Sequence, residues 1–538
     1  MNYDPLYNPY PSRRAPIYAH KGMVCSSSPQ ASAAGIDAIR QGGNAMDAAV
    51  AAAAAMTVVE PTANGIGSDA FALIWSGKDR RLYGLNASGW SPRALTIEKA
   101  AAAAGGSSMP SNGWLPTMTP GAPKAWAAIS ERFGRLPLID SLAPAIEYAR
   151  GGYPATAGLA RAWSGAAKRY ARILNGPEFR EWFRVFAPDG KGPAPGQMIR
   201  LPDHARTLEM IGESNARAFY DGELTDAILK DSAEFGGLYE RADFSEYEAR
   251  WVEPARLNYR GYEVCEIPPN GQGIIALMAL NIMKEFTFAR RESADSFHLQ
   301  WESMKTAFAD GLASITDPSC MRVDYRQYLD PSYGSSRAGE IGYAAMNRQP
   351  IQLPVSGTVY FCTADGDGNM VSFIQSNYQG FGSGVVVRGT GISMQNRGHD
   401  FSLDPSRPNR VGPRKKTYHT IIPGFIMKDG EPVGPFGVMG GYMQPQGHVQ
   451  VASNLIDYGM NPQQSLDAPR WQWTRDGRML IEQSFSNDIA RQLAERGHRV
   501  EVSLYGGDFG RGQIILRAPD GTLVGGTEPR CDGNIACI

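Results

Sequence analysis

The stretch GTVYFCTADGDGNMVSFIQS, residues 357–376, marks the place where the character of the chain changes. Val359–Ala364 and Met370–Ser376 are rich in β-forming residues, and Asp365–Asn369 between them carries the Asp-Gly pairs of a hairpin turn. The sequence before this stretch is richer in helical patterns, and the sequence after it is richer in strand patterns. The stretch therefore predicts a boundary at Gly357–Thr358, where a β-hairpin opens a strand-dominated second part.

The spacing of apolar residues extends these predictions to both sides of the boundary. Helices are predicted at Pro29–Arg40, Asn44–Met56, Ile274–Phe286 and His298–Leu312, a helical lobe at residues 158–250, and a loop at residues 338–357. After the boundary, strands are predicted at Gly391–Met394, Thr420–Met427 and Val433–Val438, a helix at Gln444–Tyr458 and a hairpin at residues 513–525. These patterns are typical of a protein that mixes α and β structure.

Composition excludes several classes of protein. The chain has 538 residues, and its 53 Lys and Arg against 54 Asp and Glu argue against a nucleic-acid partner. The apolar stretch Ala48–Val59 is too short to span a membrane, and Met1–Arg14 lacks the apolar run of a secretory signal. The six cysteines form no CxxC pair, which is typical of a reducing compartment. We therefore expect a cytoplasmic protein that has no membrane partner.

The Gly357–Thr358 pair is a candidate nucleophilic site. A Thr hydroxyl is a weak nucleophile unless a base lies beside it, and the free α-amine of the same residue can be that base. The chemistry needs a backbone break before the Thr, and a small preceding residue lets the hydroxyl reach the carbonyl that it attacks. A Gly-Thr pair that opens a strand is nevertheless most often structural, so these two residues alone do not decide the function.

Gly440–Gly441 forms a second candidate, between a predicted strand and a predicted helix. Two glycines at this place let bare backbone N–H groups converge near a helix N-terminus, which suits the binding of an oxyanion. A simple strand-to-helix turn explains the same residues and is the commoner reason for such a pair.

The sequence predicts no metal and no cofactor. The seven histidines show no H-x-x-x-H spacing or similar ligand pattern. Asp365–Asn369 begins like a calcium loop, but Met370 stands where the EF-hand needs glycine. His419 and His448 fall in or beside the segments of the presumed site, where we expect hydrogen-bonding wall residues rather than general bases.

Taken together, the motifs resemble the γ-glutamyltransferase family. In the second part these are Thr358-Val359-Tyr360, Asp367-Gly368-Asn369, Phe381-Gly382-Ser383-Gly384, Asn396, Asp400-Phe401, Gly440-Gly441, Asp457-Tyr458-Gly459, Ala468-Pro469-Arg470, Pro529-Arg530 and Asp532-Gly533. In the first part they are Gly42-Gly43-Asn44-Ala45, Asp47-Ala48-Ala49, Tyr259-Arg260-Gly261-Tyr262, Pro268-Pro269, Met304-Lys305, Ala309-Asp310 and Asp317-Pro318. The resemblance covers nearly the whole chain in the order of the family.

The resemblance implies an α+β fold, a four-layer αββα sandwich of the N-terminal-nucleophile hydrolase type. It implies self-cleavage into a large subunit, residues 1–357, and a small subunit, residues 358–538, which could assemble further. Thr358 would form an acyl-enzyme with a small-molecule amide. The Gly440 and Gly441 N–H groups would bind the oxyanion, and the Ser376 hydroxyl would bond the nucleophile.

The resemblance also implies a set of substrate-binding residues, several of which depart from the family. These are Asp400, Asn396, Tyr378, His419, Thr420 and Ser88. Asp400 matches the residue that holds the α-amino group of a γ-glutamyl substrate. Ser88 replaces an Arg that clamps the substrate carboxylate, and a neutral hydroxyl cannot supply that charge-assisted pair. Arg93, further along the chain, could compensate only by a different path.

Two further replacements and one short loop leave the substrate open. His419-Thr420 stands where the family has a Ser-Ser pair, Tyr378 replaces an Asn, and the loop Leu403–Pro413 is too short for a lid. These changes resemble the branch of glutathione hydrolase-like proenzymes, with cephalosporin (glutaryl) acylases and oxamate amidohydrolases as relatives. The alternatives are therefore a glutaryl or oxamate-type amidohydrolase, or a non-catalytic binding relative that never cleaves.

Overall fold

The computed structural model describes residues 14–348 and 357–538. Its helices are α1 Pro29–Arg40, α2 Ala45–Val59, α3 Ile97–Ala104, α4 Ala122–Phe133, α5 Leu138–Gly151, α6 Ala157–Ile173, α7 Arg180–Phe186, α8 Pro202–Glu213, α9 Arg217–Asp221, α10 Glu223–Glu234, α11 Arg241–Ser245, α12 Gly273–Met283, α13 Ala294–Ser314, α14 Pro331–Ala338, α15 Met443–Ile456, α16 Pro462–Asp467 and α17 Asn487–Glu495. Its strands are β1 Ile17–Ala19, β2 Gly22–Ser26, β3 Asp69–Ser76, β4 Arg81–Ala87, β5 Tyr153–Pro154, β6 Met198–Ile199, β7 Arg250–Val252, β8 Ala255–Tyr259, β9 Tyr262–Glu266, β10 Gly357–Asp365, β11 Met370–Tyr378, β12 Gly424–Lys428, β13 Glu431–Met439, β14 Trp471–Trp473, β15 Met479–Glu482, β16 Val500–Ser503, β17 Arg511–Arg517, β18 Leu523–Thr527 and β19 Asn534–Cys537.

Two large sheets carry the fold. Sheet I has seven strands in the order β1-β18-β17-β13-β12-β9-β8, and sheet II has seven in the order β19-β2-β10-β11-β3-β4-β7. The neighbouring pairs within both sheets are antiparallel. Smaller sheets join β14-β15-β16 and β5-β6. The predicted hairpin β10–β11 thus lies in the middle of sheet II.

Helices cover the outer face of each large sheet, and apolar side chains fill the space between the sheets. Helix α2 is buried along its whole length against sheet II, and α12 and α15 pack on sheet I. Between the sheets, Tyr360 and Ile374 of sheet II share one cluster with Phe425 and Ile515 of sheet I. This arrangement is the four-layer αββα sandwich that the sequence resemblance implied, and the prediction of the fold class is confirmed.

The N-terminus of α2 shows how local sequence positions the core. The Asn44 side chain accepts hydrogen bonds from the N–H groups of Met46 and Asp47, and the Asp47 carboxylate accepts one from Asn44 N–H. This reciprocal cap satisfies backbone donors that the first helical turn leaves free. Because the helix is rich in alanine, it can approach sheet II closely, and the Ala45 N–H reaches Asp365 at the end of β10 at 2.8 Å.

The two predicted subunits interleave in both sheets. In sheet II, β10 lies between β2 of the first part and β11 of the second, and β11 pairs on its other side with β3. In sheet I, β12 and β13 of the second part are continued by β9 and β8 of the first. Residues 1–357 and 358–538 therefore do not form separate compact domains, and the three largest buried clusters each contain residues of both parts.

Most predicted elements are present, and two strands differ from prediction. Helix α1 has the predicted bounds, and the predicted lobe at residues 158–250 is helical apart from short β segments. Gly391–Met394 is wrong as a strand, because it makes only isolated bridges at its last two residues. The strand predicted from Thr420 begins only at Gly424, since Pro423 has no N–H for a ladder. Residues 349–356 of the predicted loop lie outside the described residues.

The six cysteines are all free thiols in the structure. Within residues 14–348 and 357–538, no helix combines the length and the apolar character that crossing a membrane requires.

Candidate active site

The predicted nucleophile Thr358 lies at an irregularity of the central hairpin. Gly357 pairs with Tyr378 and Val359 pairs with Gln375, so that Ser376 and Asn377 together oppose Thr358. Two residues against one form a β-bulge on β11, a feature that re-aims side chains at the end of a ladder. Ser376 is the residue that the ladder from Val359–Gln375 onward places across from Thr358.

A chain of hydrogen bonds joins the Thr358 hydroxyl to the carbonyl of the preceding residue. Thr358 Oγ1 lies 3.1 Å from Ser376 Oγ, to which it donates, and 2.8 Å from Gly357 O. Ser376 Oγ in turn donates to Gly357 O at 2.8 Å. Thr358 and Ser376 are both fully buried. A buried hydroxyl is therefore held beside a carbonyl whose oxygen already accepts a hydrogen bond.

The packing around Gly357 favours glycine at this position. A Cβ on Gly357 would lie 3.2 Å from Ala63 Cα and 3.2 Å from Gly380 N. These are backbone atoms that cannot turn away. Contact as well as chemistry thus favours a small residue before Thr358.

Arg397, which the sequence analysis missed, lies at the centre of this site. It is 1% exposed, its Nη1 donates to Thr420 Oγ1 at 2.6 Å, and its Nη2 lies 3.4 Å from Ser376 Oγ. The guanidinium carbon lies 4.1 Å from the ring centre of Tyr378, a cation–π contact. Arg397 directly follows Asn396, which is one of the motif residues that resemble the γ-glutamyltransferase family. This position was the signal in the sequence that could have identified Arg397.

Asp400 and Tyr378 are brought together beside Arg397. Tyr378 donates its hydroxyl to Asp400 Oδ1 at 2.6 Å, and Tyr378 N–H donates to Ser376 Oγ at 2.8 Å. Burial raises the pKa of Asp400, while the Arg397 charge and the Tyr378 hydroxyl oppose that shift. Tyr378 has a φ of +77°, which non-glycine residues rarely adopt. The backbone holds this strained residue where its N–H and its hydroxyl both donate hydrogen bonds to residues of the site.

His419 is paired with Asp69 rather than with Thr358. Its Nε2 lies 2.9 Å from Asp69 Oδ2, and its Nδ1 accepts from Ile421 N–H at 3.4 Å. Burial lowers the pKa of His419 well below its usual range, and the charges of Arg397 and Lys416 add to this effect. Burial raises the pKa of Asp69 to about 7. A neutral His419 therefore donates through Nε2 to Asp69, and its role as a wall residue of the site stays a prediction.

A buried lysine occupies the neighbourhood of Ser88. Lys416 Nζ lies 3.0 Å from Ser88 Oγ and 2.5 Å from Ser88 O, and the residue is 5% exposed. Burial lowers the pKa of Lys416 to about 8. Arg93 does not compensate for the missing arginine, since it forms an exposed pair with Glu246. Lys416 follows Arg414 and Lys415, a run that reads as a solvent-exposed basic segment in sequence.

The remaining predicted residues lie around this cluster. Asn396 connects the segment that follows β11 to the first part of the chain. Its Oδ1 accepts a hydrogen bond from Gln379 N–H at 3.2 Å, and its Nδ2 donates one to Ser111 O at 2.8 Å. The loop Leu403–Pro413 folds back on itself, and Asn409 Nδ2 donates to the backbone oxygen of Asp400 at 2.8 Å. The role of that loop as a shortened lid stays a prediction.

Gly440 and Gly441 form the turn between β13 and α15. Their carbonyls accept from Met443 N–H and Gln444 N–H, with φ values of +143° and +61°. Within the described ranges, neither glycine N–H has a hydrogen-bond acceptor. Gln272 Nε2 donates both to Gly441 O at 2.8 Å and to Thr420 O at 2.5 Å, which connects the turn to the site. The oxyanion role stays a prediction.

Two histidine clusters lie outside the nucleophile's hydrogen-bond chain. His448 Nδ1 bonds Glu266 Oε1 at 2.6 Å in the core. His298, Glu302 and His498 bring ligand-type atoms within 4.8 Å of one another, a grouping that sequence spacing did not reveal. Lys305 Nζ lies within that group, 2.8 Å from Glu302 Oε1 and 3.1 Å from His498 Nδ1. An ammonium group thus already holds the place that a cation would take.

The arrangement around Thr358 brings together groups that support one kind of chemistry. The hydroxyl can pass its proton to Ser376, and Ser376 can polarise the Gly357 carbonyl. Arg397 and Lys416 supply positive charge nearby, and Asp69 and Asp400 supply carboxyl groups. This combination suits attack by a hydroxyl on an amide carbonyl.

Comparison with known proteins agrees with this chemistry. The family model described as gamma-glutamyltranspeptidase matches residues 31–538. A glutathione hydrolase-like proenzyme of Bacillus subtilis is 37% identical over 96% of this chain and 98% of its own length. An oxamate amidohydrolase proenzyme of Klebsiella pneumoniae is 34% identical over 96% of this chain and 98% of its own length. The crystal structure of a cephalosporin acylase from Bacillus halodurans superposes with a TM-score of 0.96 at 53% identity, covering 100% of this chain and 99% of that one.

Proposed function

From the premise that this chain belongs to the gamma-glutamyltranspeptidase family and is an N-terminal-nucleophile amide hydrolase, we propose that it cuts its own backbone between Gly357 and Thr358. The cut yields a large subunit, residues 1–357, and a small subunit, residues 358–538. Thr358 then becomes the nucleophile toward a small-molecule amide. The name proenzyme, which two of the relatives carry, supports a precursor that is processed.

One observation carries the proposal: Ser376 bridges the Thr358 hydroxyl and the Gly357 carbonyl oxygen. In the first step Thr358 Oγ1 attacks the Gly357 carbonyl carbon, and its proton leaves toward Ser376. The C–N bond breaks, the Thr358 nitrogen takes a proton, and an ester links Gly357 to Thr358. Water hydrolyses that ester and releases the Gly357 carboxylate and the Thr358 amine. Because Thr358 is fully buried, this neighbouring carbonyl is the one that its hydroxyl can reach in the unbroken chain.

The same groups serve the reaction with a substrate. The freed α-amine of Thr358, whose reference pKa is about 8, accepts the hydroxyl proton near neutral pH. The substrate acyl group passes to Thr358 Oγ1, and the amine of the amide leaves. The N–H groups of Gly440 and Gly441 stabilise the negative oxygen, and their lack of other acceptors among the described residues supports that role.

We propose that the acyl group of the substrate lies among Asp400, Asn396, Tyr378, His419, Thr420 and Ser88, as a γ-glutamyl or related amide. The two subunits remain one molecule, since both of them contribute strands to both sheets. The free thiols on all six cysteines support a reducing compartment, and we propose a cytoplasmic location on that ground.

A denaturing gel tests the proposal against the alternative of a non-cleaving binding protein. Wild-type protein should give two fragments, and sequencing of the smaller one should begin at Thr358. Thr358→Ala should give a single band, whereas Thr358→Ser keeps a hydroxyl and should still be cut. A single band from wild-type protein that hydrolyses amides would overturn the mechanism.

A further inference from the structure

Gln272 is a buried glutamine at the N-terminus of α12, and its side-chain hydrogen bonds all lead into the site. Its Nε2 donates to Thr420 O at 2.5 Å and to Gly441 O at 2.8 Å, and its Oε1 accepts the Tyr418 hydroxyl at 2.6 Å. These contacts fix the orientation of the amide, because the reverse orientation would face one oxygen with two carbonyl oxygens. One NH2 group therefore holds two separate backbone segments at a set distance from each other.

The backbone beside Gln272 binds one of these two segments again. Gln272 N–H donates to His419 O at 2.9 Å, and His419 N–H donates to Asn270 O at 3.0 Å. Asn270 Nδ2 adds a hydrogen bond to Thr417 O at 2.8 Å. The segment around His419 is thus fixed to the start of α12, and the Gln272 side chain extends this fixed unit to Gly441.

The two segments that Gln272 joins serve different parts of the reaction. Thr420 Oγ1 accepts from Arg397 Nη1 at 2.6 Å, and Arg397 Nη2 lies 3.4 Å from Ser376 Oγ, the group that bonds the nucleophile. Gly441 belongs to the turn between β13 and α15, the oxyanion turn, whose N–H groups are proposed to bind the negative oxygen. One amide therefore connects the nucleophile's hydrogen-bond chain with the oxyanion turn.

We infer that Gln272 is a positioning residue, which keeps the oxyanion turn in register with the Thr358 nucleophile. It acts through the carbonyl groups of Thr420 and Gly441 rather than on the reacting atoms. The inference rests on the proposed function, in which the turn and Thr358 act on one carbonyl group of the substrate. Gln272 lies in the large subunit and both of its carbonyl acceptors lie in the small one, so the small subunit depends on the large one for the geometry of its own catalytic groups.

Gln272→Glu tests this role, because it exchanges one group and keeps the shape of the side chain. The new oxygen cannot donate when it is ionised, so the variant loses both bonds that Nε2 makes, while Oε1 can still accept the Tyr418 hydroxyl. Three oxygens that face one another without a proton repel, and the oxyanion turn should move away from Thr420.

The pH dependence of the variant distinguishes positioning from general damage. In the part of the chain that the structure describes, no cation bonds the Gln272 side chain, and burial raises the pKa of a carboxyl group at this place. Tyr418, the titratable group that it contacts, stays neutral, since burial raises its pKa well above its usual value. A lower pH therefore protonates the carboxylate and restores one donor. The rate relative to wild type should rise, and this ratio removes the titration of groups that both proteins share, such as Asp69 and Arg397.

Two rates are measured at about pH 8 and at about pH 6. Self-cleavage is followed on a denaturing gel after a pulse of cell-free synthesis, and kcat is measured with γ-glutamyl- and glutaryl-p-nitroanilide. At the higher pH, Gln272→Glu should cut itself about tenfold more slowly than wild type and lose about 100-fold in kcat, as catalytic groups displaced by about 1 Å do. At the lower pH, both losses should shrink by about threefold or more. If wild-type protein hydrolyses neither anilide, self-cleavage decides.

Gln450→Glu is the matched control, because Gln450 on α15 is also buried and its amide makes the same kinds of bond. Its Nε2 donates to Gln446 O and to Trp471 O, both at 3.0 Å, and its Oε1 accepts from Trp471 N–H at 3.1 Å. This variant should lower the Tm as Gln272→Glu does, but it should leave both rates within about threefold of wild type.

A second pair of variants decides the case if Gln272→Glu does not fold. Gln272→Met removes the donors without adding a charge, so it should slow both reactions equally at the two pH values, whereas Gln450→Met should not slow them. Losses in Gln272→Glu that do not change with pH, or wild-type rates in Gln272→Met, overturn the inference.

Failure of the inference differs from failure of the proposed function. Wild-type protein that cuts itself at Thr358, together with Gln272 variants that do so equally fast, contradicts the inference alone. Wild-type protein that stays in one piece contradicts the proposed function, whatever the variants do.

Discussion

Ser376 Oγ lies 3.1 Å from Thr358 Oγ1, although the two residues stand on neighbouring strands whose regular pairing is interrupted between them. The ladder that pairs Val359 with Gln375 places Ser376 opposite Thr358 when it is continued by one residue, and the bulge shifts the pairing only beyond this point, at Gly357 and Tyr378. The hydroxyl that receives the nucleophile's proton is therefore positioned by backbone geometry rather than by a flexible loop.

We expect Ser376→Ala to slow self-cleavage by about 100-fold, since it removes both the proton acceptor and the donor to Gly357 O. The fraction of cut chain, followed over time on a denaturing gel after purification, measures this rate. Ser372→Ala is the matched control, as Ser372 is equally buried on the same strand but bonds Tyr360 at 2.8 Å. Equal rates in the two variants would remove Ser376 from the mechanism.

Local signals made much of the fold predictable. Helix α1 was predicted to the residue because Pro29 marks its first turn, and the β10–β11 hairpin followed from Asp-Gly pairs between two β-rich segments. Gly391–Met394 was wrong as a strand, because among the described residues it makes only isolated bridges, at Ser393 and Met394. The β propensity of a segment does not make it a strand when its tertiary contacts favour another conformation.

Sequence analysis could select candidate site residues only where they belong to a recognisable local motif. Thr358, Ser376 and Asp400 fall in motifs, and the structure places them in one cluster. Arg397 and Lys416 were missed, because their significance depends on partners far away in sequence. Lys416 bonds Ser88 across 328 positions, and its neighbours Arg414 and Lys415 suggest a solvent-exposed run instead. Burial of a charge against a distant residue leaves no local pattern.

We expect Ser88→Arg to destabilise the protein by about 3 kcal/mol rather than to restore a carboxylate clamp. The new guanidinium would meet the buried ammonium of Lys416, which lies 3.0 Å from Ser88 Oγ, and an unbalanced buried charge costs this much. The double variant Ser88→Arg/Lys416→Ser should recover most of the loss. Urea unfolding of Ser88→Arg, Lys416→Ser and the double variant measures the coupling, and additive effects would show that the two positions do not interact.

The pKa of Asp69 predicts how stability depends on pH. In the folded protein burial raises it to about 7, above the value of about 3.9 for an unfolded chain. The folded state therefore binds the extra proton between these values, and Asp69 makes the protein less stable as pH rises from about 4 to 7. The stability of Asp69→Asn relative to wild type should rise over this range by at most about 4 kcal/mol.

Chemical unfolding at a series of pH values measures this difference. The exposed Asp367, paired with Arg135 at the surface, provides the control Asp367→Asn, which should differ from wild type by a constant small amount. If the difference between Asp69→Asn and wild type does not change with pH, then Asp69 is ionised throughout, and the balance of charges around His419 must be revised.

The last prediction concerns the group His298, Glu302 and His498, which has the atoms of a zinc site but already contains Lys305. Zinc prefers two imidazoles and a carboxylate at such spacing, yet an ammonium 2.8 Å from Glu302 Oε1 repels it. Added zinc should therefore leave the Tm of wild-type protein unchanged. Lys305→Met removes the charge, and zinc at 100 times its Kd should stabilise that variant by about 2.7 kcal/mol. The double variant Lys305→Met/His498→Ala should lose the response, since only two ligands remain. Stabilisation of the wild type by zinc would mean that Lys305 moves aside, and that the cluster is a metal site after all.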